Sequence, residues 1–324
     1  MLLKQLYKGI TKYVKGYYAY AKGIEGMSQL AFTLDGIWCR MRYGCVFNQY
    51  TEGGFYKHTA HQRRRILTYR HWKRLVRLND PAQIHYLKNK VDFNMFFKDF
   101  IGREWLDTSS MKETNFMSFA QKHEKAIVKP IDEWEGNGIR VIDLRQEDKK
   151  QLSASLKAFP LLIEEIVEQH PLMVFNNCSV NTIRVYTVFD DKEKKAHIIN
   201  TTLRAGVGTS IVDNSHSGGC SYEVDIDTGR IDSFGWSHTR TGMIFHPGSD
   251  ICMLGREIPY WEKAKDVVKQ AAERLPSVKF IGWDVAILRN GPILIEGNHD
   301  PDLDIMEFVG HSGYLPIIKK HVKF

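Results

Sequence analysis

At 324 residues, 43% hydrophobic and 26% charged, the chain is long enough for two or three packed lobes and too apolar for wholesale disorder. No apolar run approaches the roughly 18 residues of a membrane span, and no signal-peptide pattern opens the chain. Its five scattered cysteines (Cys39, Cys45, Cys178, Cys220, Cys252) show no CxxC spacing, which argues against a disulfide framework or cysteine zinc site and for a reducing cytosol. Residues 1–80 carry 15 Lys+Arg against 4 Asp+Glu, a surplus of +11 within a net charge of +7, so the rest is slightly acidic. That contrast divides a basic helical N-terminal region, 1–80, from a body at 81–324.

In chain order, residues 2–22 place Leu3, Leu6, Tyr7, Ile10, Tyr13, Val14, Tyr17 and Ala21 at helical spacing, with lysines mostly on the other face. Such a helix either docks on the body with solvated lysines or meets anionic headgroups or phosphates. Residues 55–80 read as a basic helix ending before Pro81, a weak signal that argues little for nucleic acid. A helix is expected over 88–100 and a buried strand over 126–130. A glycine turn, a strand over 138–143 and a polar helix over 147–158 follow, then an apolar strand over 161–168. Strands over 181–189, 196–203, 221–226, 279–288 and 292–296 then dominate, interrupted by a helix over 260–275. The mixture predicts an α+β (mixed α/β) fold.

Several residues carry chemistry. Lys129, at the end of a buried strand before Pro130, must reach into a cleft, and Gly136 and Gly138 just beyond would let backbone amides approach a polyphosphate. A GxG turn alone is more often an ordinary hairpin. The 161–168 strand ends in acids and could offer an edge to an adenine ring, or be only a strand. Arg184 and Arg204 lie within apolar strands, where a guanidinium needs a phosphate or carboxylate partner, or forms a structural ion pair. Asp213, Asn214, His216, Gly218 and Gly219 form a polar loop that either closes over an acceptor or is a surface turn. Finally, Asp284 interrupts an apolar strand, and a second strand after Asn290-Gly291 runs into Glu296-Gly297-Asn298. The hairpin signal pairs the strands and brings Asp284 level with Glu296. Two buried carboxylates together demand a cation, and with an amide oxygen they make the hard donor set of Mg²⁺; salt-bridged strand-end acids are the alternative.

In this order the segments NKVDFNMFF, IVKP, GNGI, IEEIVEQHP, SVNTIRVYT, DNSHSGG, IP-x-W at 258–261 and GWDVAI…LIEGN resemble the ATP-grasp superfamily of carboxylate–amine ligases. More narrowly, residues 43–310 resemble the sugar-transfer-associated ATP-grasp family, related to alpha-L-glutamate ligases. The resemblance implies two α+β lobes clasping ATP, a small one over about 110–165 and a large one over about 166–324. It implies that Lys90 and Lys129 contact the ATP phosphates under a loop holding Gly136 and Gly138. Glu164, Glu165, Ile166 and Val167 would line the adenine pocket, with Asn181 or Glu168 at the ribose. Arg184 and Arg204, with Lys129, would stabilise the transferring phosphoryl group. Asp284, Glu296 and Asn298 would hold Mg²⁺, two ions bridged by Glu296.

The implied reaction joins a carboxylate to an amine through an acylphosphate, on a sugar, glycan precursor or amino acid in cell-surface polysaccharide synthesis. A phosphotransferase and a non-catalytic nucleotide-binding module are the rivals. The basic arm, residues 1–25, suggests peripheral membrane contact at the inner face of a cytoplasmic membrane.

Overall fold

The computed structural model describes residues 2–132, 138–145, 148–175, 178–208, 218–311 and 313–324, with backbone alone for residues 2–10 and 12. The chain opens with helices α1 (Leu2–Ala21) and α2 (Gln29–Tyr43). Helix α2 begins where the Ser28 side chain accepts from the Ala31 amide, and ends at Gly44, whose left-handed backbone (φ 74°) lets its amide close on the Arg40 carbonyl. The inner faces of both helices meet in a core of Tyr17, Ala21, Phe32, Cys39, Tyr50 and Phe55. Asp35 ties the core to the segment behind it, accepting from Arg63 (2.8 and 2.7 Å) and from the Tyr50 hydroxyl (2.7 Å). Helix α1 therefore docks through one face, while Tyr13, Tyr18 and Tyr20 stay exposed.

At Gly36 a Cβ would lie 2.9 Å from the buried Tyr17 ring. Gly36→Val is expected to destabilise this core by about 1–3 kcal/mol through overpacking, read as a lower urea midpoint. A midpoint at or above wild type would show that the ring can move.

The expected single helix over 55–80 is instead broken. A 3₁₀ turn (Phe55–Lys57), a short helix (Ala60–Arg63) and a helix (Tyr69–Val76) follow one another. Thr59 caps the second by accepting from the Gln62 amide; the Thr68 hydroxyl, ahead of the third, donates to the Tyr43 carbonyl (2.6 Å). The Thr59 cap therefore starts a new helix inside a run that the basic pattern would have made continuous. The 88–100 helix likewise divides into α3 (Lys90–Phe96), capped by Asn89, and a turn at Lys98–Ile101.

Two antiparallel sheets follow. The first, from β1 (Trp105–Asp107), β2 (Lys125–Pro130), β3 (Arg140–Asp143) and β4 (Leu161–Glu165), has order β1-β4-β2-β3, so it starts before the expected residue 110. Helices Glu113–Lys122 and Lys149–Leu156 cover one face through Phe116, Phe119, Leu152 and Leu156 against Val128 and Ile163. Alternation then sends Ile127, Lys129, Leu162 and Glu164 to the other face.

The second sheet holds β5 (Thr182–Asp190), β6 (Lys195–Ala205), β7 (Cys220–Glu223), β8 (Gly235–Trp236), β9 (Thr241–Met243), β10 (Phe280–Leu288) and β11 (Gly291–Asn298), in order β11-β10-β5-β6-β7-β8-β9. Helix α4 (Trp261–Arg274) buries Ala264, Val268 and Ala271 against Ile183, Val185, Leu203, Trp283 and Val285. The opposite face changes character along the strands. One end is apolar, Tyr186, Val188 and Phe280 packing on Leu75 and on α5 (Leu315–His321). The other end carries the charges.

Candidate active site

Two residues, Arg289 and Asn290, close the β10–β11 hairpin, with Leu288 opposite Gly291. Continued regularly, that register would set Asp284 against Ile295 and send Glu296 to the far face. A bulge prevents this. Val285 pairs with Leu294 but Asp284 pairs with Glu296, leaving Ile295 as the extra residue. Asp284 is also opposite Arg184 on β5, and Arg184 opposite Thr202 on β6. Paired positions share a face, so Arg184, Asp284 and Glu296 form one charged row across three strands.

Asp284 is buried and held by two guanidiniums: Arg184 through Nε (2.5 Å) and Nη2 (3.0 Å), Arg204 through Nη1 (2.8 Å). Burial works against its charge, but Arg184 and then Arg204 override it and hold the carboxyl at about 2. The structural ion pair weighed for both arginines is thus present in this state. Glu296 has the opposite fate: burial first, then the Asp284 charge, raises its pKa. Asn298 donates its Nδ2 to Glu296 Oε1 (3.2 Å), which turns the amide oxygen away from that bond. An oxygen-rich set with one surplus, destabilised carboxylate fits a hard cation.

The first sheet contributes a second charged cluster. Lys129 Nζ lies 2.5 Å from Glu164 Oε2. Arg103 meets Glu164 Oε1 through Nε (2.8 Å) and Nη2 (2.7 Å), and Asn94 donates to the same oxygen (3.2 Å). Arg103 also donates to the carbonyls of Leu294 (2.7 Å) and Ile295 (3.2 Å). One guanidinium therefore links the Lys129–Glu164 pair to the bulge beside Glu296. Lys90, at the start of α3, donates to the Ile131 carbonyl (3.3 Å). Burial lowers its pKa, with the Glu296 charge opposing that fall and the Lys129 charge adding to it.

Other expectations fare differently. Strand β4 is not an edge: it lies between β1 and β2, which occupy its backbone groups. Glu164 gives its carboxylate to Lys129 and Arg103, and Glu165 accepts from the Glu104 amide (2.8 Å). Ile166 and Val167 lie past the strand, Ile166 exposed and Val167 against Leu288 and Ile293. Glu168 pairs with Arg289 (2.7 Å) on the surface. Asn181 is buried: its backbone amide donates to Gln169 (2.8 Å), its Nδ2 donates to the Met173 carbonyl (2.8 Å) and its Oδ1 accepts from the Gly206 amide (2.9 Å), bonds that anchor the start of β5. Gly138 has φ 73°, and a Cβ there would meet Pro130 at 2.8 Å. Gly218 has φ 89°, and Gly219 is buried ahead of β7. Gly136, Asp213, Asn214 and His216 lie outside the described residues.

Sequence reasoning missed Arg103, whose only signal is its place after Gly102, a glycine at φ 50° where a Cβ would strike Ile293 at 2.6 Å. It also missed Glu223 on β7, opposite Thr202 and so in the same row. Glu223 accepts from the Tyr314 hydroxyl and the His311 amide, and burial raises its pKa.

Residues 73–323 match the family described as sugar-transfer associated ATP-grasp. No curated protein is significantly similar in sequence. Among solved structures, the ATP-grasp ligase PsnB with precursor peptide PsnA2 and AMPPNP is 13% identical, covering 75% of this chain and 60% of its own, at a TM-score of 0.47. D-alanyl-alanine synthetase A from Vibrio cholerae is 13% identical over 76% and 63%, at 0.42. The ADP complex of purK, N5-carboxyaminoimidazole ribonucleotide synthetase, is 10% identical over 78% and 61%, at 0.45. The chain spans about 60% of the length of these structures, and likenesses so distant say nothing of its chemistry. The family match covers far more than half of the chain, and by it this α+β protein belongs to the sugar-transfer associated ATP-grasp family.

Proposed function

We propose that the chain is an ATP- and Mg²⁺-dependent carboxylate–amine ligase that forms an amide through an acylphosphate, its catalytic unit being residues 81–324. The observation that carries this reading is the charged row of Arg184, Asp284 and Glu296, which Arg103 ties through the Ile295 carbonyl to the Lys129–Glu164 pair. Glu296, Asn298 and the remaining lone pairs of Asp284 would hold Mg²⁺, which supplies charge neutralisation for the phosphates. Lys90 and Lys129 would hold the phosphate oxygens, under the loop bearing Gly136 and Gly138. Arg184 and Arg204 would exchange Asp284 for the transferring phosphoryl group. Ile166 and Val167, in the segment joining the sheets, would flank the adenine.

In the first step a carboxylate oxygen attacks the γ-phosphorus and the bond to ADP breaks. In the second an amine attacks the acyl carbon, the carbon–oxygen bond to phosphate breaks, and the amine proton passes to a base, for which Asp213 or His216 is the candidate. The family supports a sugar, glycan precursor or amino acid of cell-surface polysaccharide synthesis as one substrate. The N-terminal charge supports a lipid-linked acceptor met at the cytoplasmic membrane face, with residues 1–25 near the headgroups.

The test is mass spectrometry of products after incubation with ATP, Mg²⁺ and panels of acids and amines. Release of inorganic phosphate only when an amine is supplied, with an amide of matching mass, is the expected result. A phosphorylated product that persists with amine present would replace the ligase by a phosphotransferase, and no turnover with any pair would favour a nucleotide-binding module.

A further inference from the structure

Helix α2 (Gln29–Tyr43) is apolar on two faces. Phe32, Thr33, Gly36 and Cys39 face the core, which satisfies the inner side. On the outer side Leu30, Leu34, Trp38 and Met41 recur at steps of four, four and three, the spacing of one helical stripe. All four are exposed, at 65%, 58%, 54% and 63%. Single exposed apolar residues need no explanation, but four large ones aligned on one helix do.

The charge around the stripe identifies its occupant. Arg40, Arg42 and Arg70 surround its Met41 end: Arg70 donates to the carbonyls of Arg40 (3.2 Å) and Met41 (2.7 Å), and all three are exposed. Arg40 stacks over the Tyr13 ring of α1, 4.4 Å from its centroid, so exposed tyrosine adjoins the same end. Of the few acids in residues 1–80, Asp35 is spent on Arg63. Apolar residues including a tryptophan, flanked by arginine and tyrosine on a strongly basic region, are the composition of an interfacial helix. Among the described residues no helix is long and apolar enough to cross a membrane, so the contact lies along the surface.

We propose that the outer face of α2 is a docking surface for an anionic lipid bilayer, with Leu30, Leu34, Trp38 and Met41 entering the headgroup layer and the arginines meeting lipid phosphates. This deepens the membrane contact proposed above and moves its apolar part from residues 1–25 to α2. It does not depend on the ligase chemistry, because none of the four is a site residue. Deleting residues 1–25 would be a poor test, since Tyr17 and Ala21 belong to the N-terminal core.

The experiment is co-sedimentation of the full chain with vesicles of phosphatidylcholine alone or with a third phosphatidylglycerol, comparing wild type with Leu34→Glu/Met41→Glu. Both positions are exposed, so circular dichroism and ATP turnover should match wild type. Wild type should partition onto the anionic vesicles, more weakly at high salt as the Debye length shortens from about 10 to 3 Å, and poorly onto phosphatidylcholine. The double variant should lose about a hundredfold in partitioning, roughly tenfold for each apolar side chain withdrawn. Wild type that ignores anionic vesicles, or a variant that binds them equally, would overturn the proposal. So would a wild-type dimer in light scattering that the double variant turns into a monomer, since a second copy would then cover the stripe. If the variant loses vesicles yet keeps turnover with a soluble acceptor, the surface stands apart from the ligase reading; a wild type that binds vesicles but turns over no acid–amine pair would retire the ligase reading alone.

Discussion

Glu296→Gln should remove ATP turnover, by at least about a hundredfold in kcat/KM, while making the nucleotide-free protein more stable. Both effects come from one carboxylate. The bulge at Ile295 sets Glu296 directly against Asp284, and burial followed by the Asp284 charge raises its pKa. A raised folded-state pKa means that the folded protein binds this proton more tightly than the unfolded chain does. The stabilisation is complete below the unfolded pKa and is lost as pH rises through the folded one. As pH rises from the unfolded value through the folded one, the carboxylate therefore comes to oppose folding unless a cation shares it. Glutamine keeps the shape and the bond from Asn298 without the charge, and should unfold at a higher temperature than wild type, by a margin that widens as pH rises. Thermal scans with and without ADP and Mg²⁺ separate the causes: the ligand pair should raise the wild-type midpoint by mass action and leave the variant unmoved. A variant that is less stable than wild type would make Glu296 an ordinary structural acid. One that still turns over ATP would remove the cation site from this hairpin.

The hairpin itself was legible because Asn290-Gly291 separates two apolar runs, each holding an acid. The bulge was not. Nothing about Ile295 as a residue marks it, and the turn alone sets the wrong pair; the extra residue sits where β11 meets the Gly102–Arg103 loop, a contact distant in sequence. The position of β4 between two strands was hidden for a similar reason, since an apolar strand does not name its neighbours. Helix α2 was invisible to periodicity because its buried and exposed faces are both apolar, which blurs the alternation that reveals an amphipathic helix. Its end signals were readable all the same: Ser28 before it and Gly44 after it. Lys90 and Lys129 could be grouped at the phosphates only through family order, because they lie on separate elements, α3 and β2, and neither segment names the other.

Arg103→Ala should cost about 3–5 kcal/mol, the loss that follows when a buried pair keeps one charge and loses the other. Glu164 is only 2% exposed and the Arg103 side chain 3%. Burial alone would raise the pKa of Glu164, but the charges of Arg103 and Lys129 outweigh it and hold the carboxyl far below the usual range. The depressed pKa stabilises the fold at every pH above the unfolded value of about 4.3, and that contribution disappears as pH falls through the folded value. Urea unfolding at neutral pH should thus show a large loss for Arg103→Ala and a comparable one for Glu164→Gln. Arg103→Met combined with Glu164→Leu should lose much less than the two singles added, because neither charge is then stranded. Acid titration gives an independent reading: below about pH 4.3 wild type should lose stability more steeply than Glu164→Gln. Near-neutral single variants, or parallel acid curves, would mean that water already reaches the pair. Arg103 also spans from Glu164 to the carbonyls of Leu294 and Ile295, so its removal frees the first sheet from the bulge that presents Glu296. On the proposed reading, even the folded fraction of Arg103→Ala should therefore bind ATP with Mg²⁺ about tenfold more weakly, since the Lys129–Glu164 pair would no longer be tied to the strand that carries Glu296.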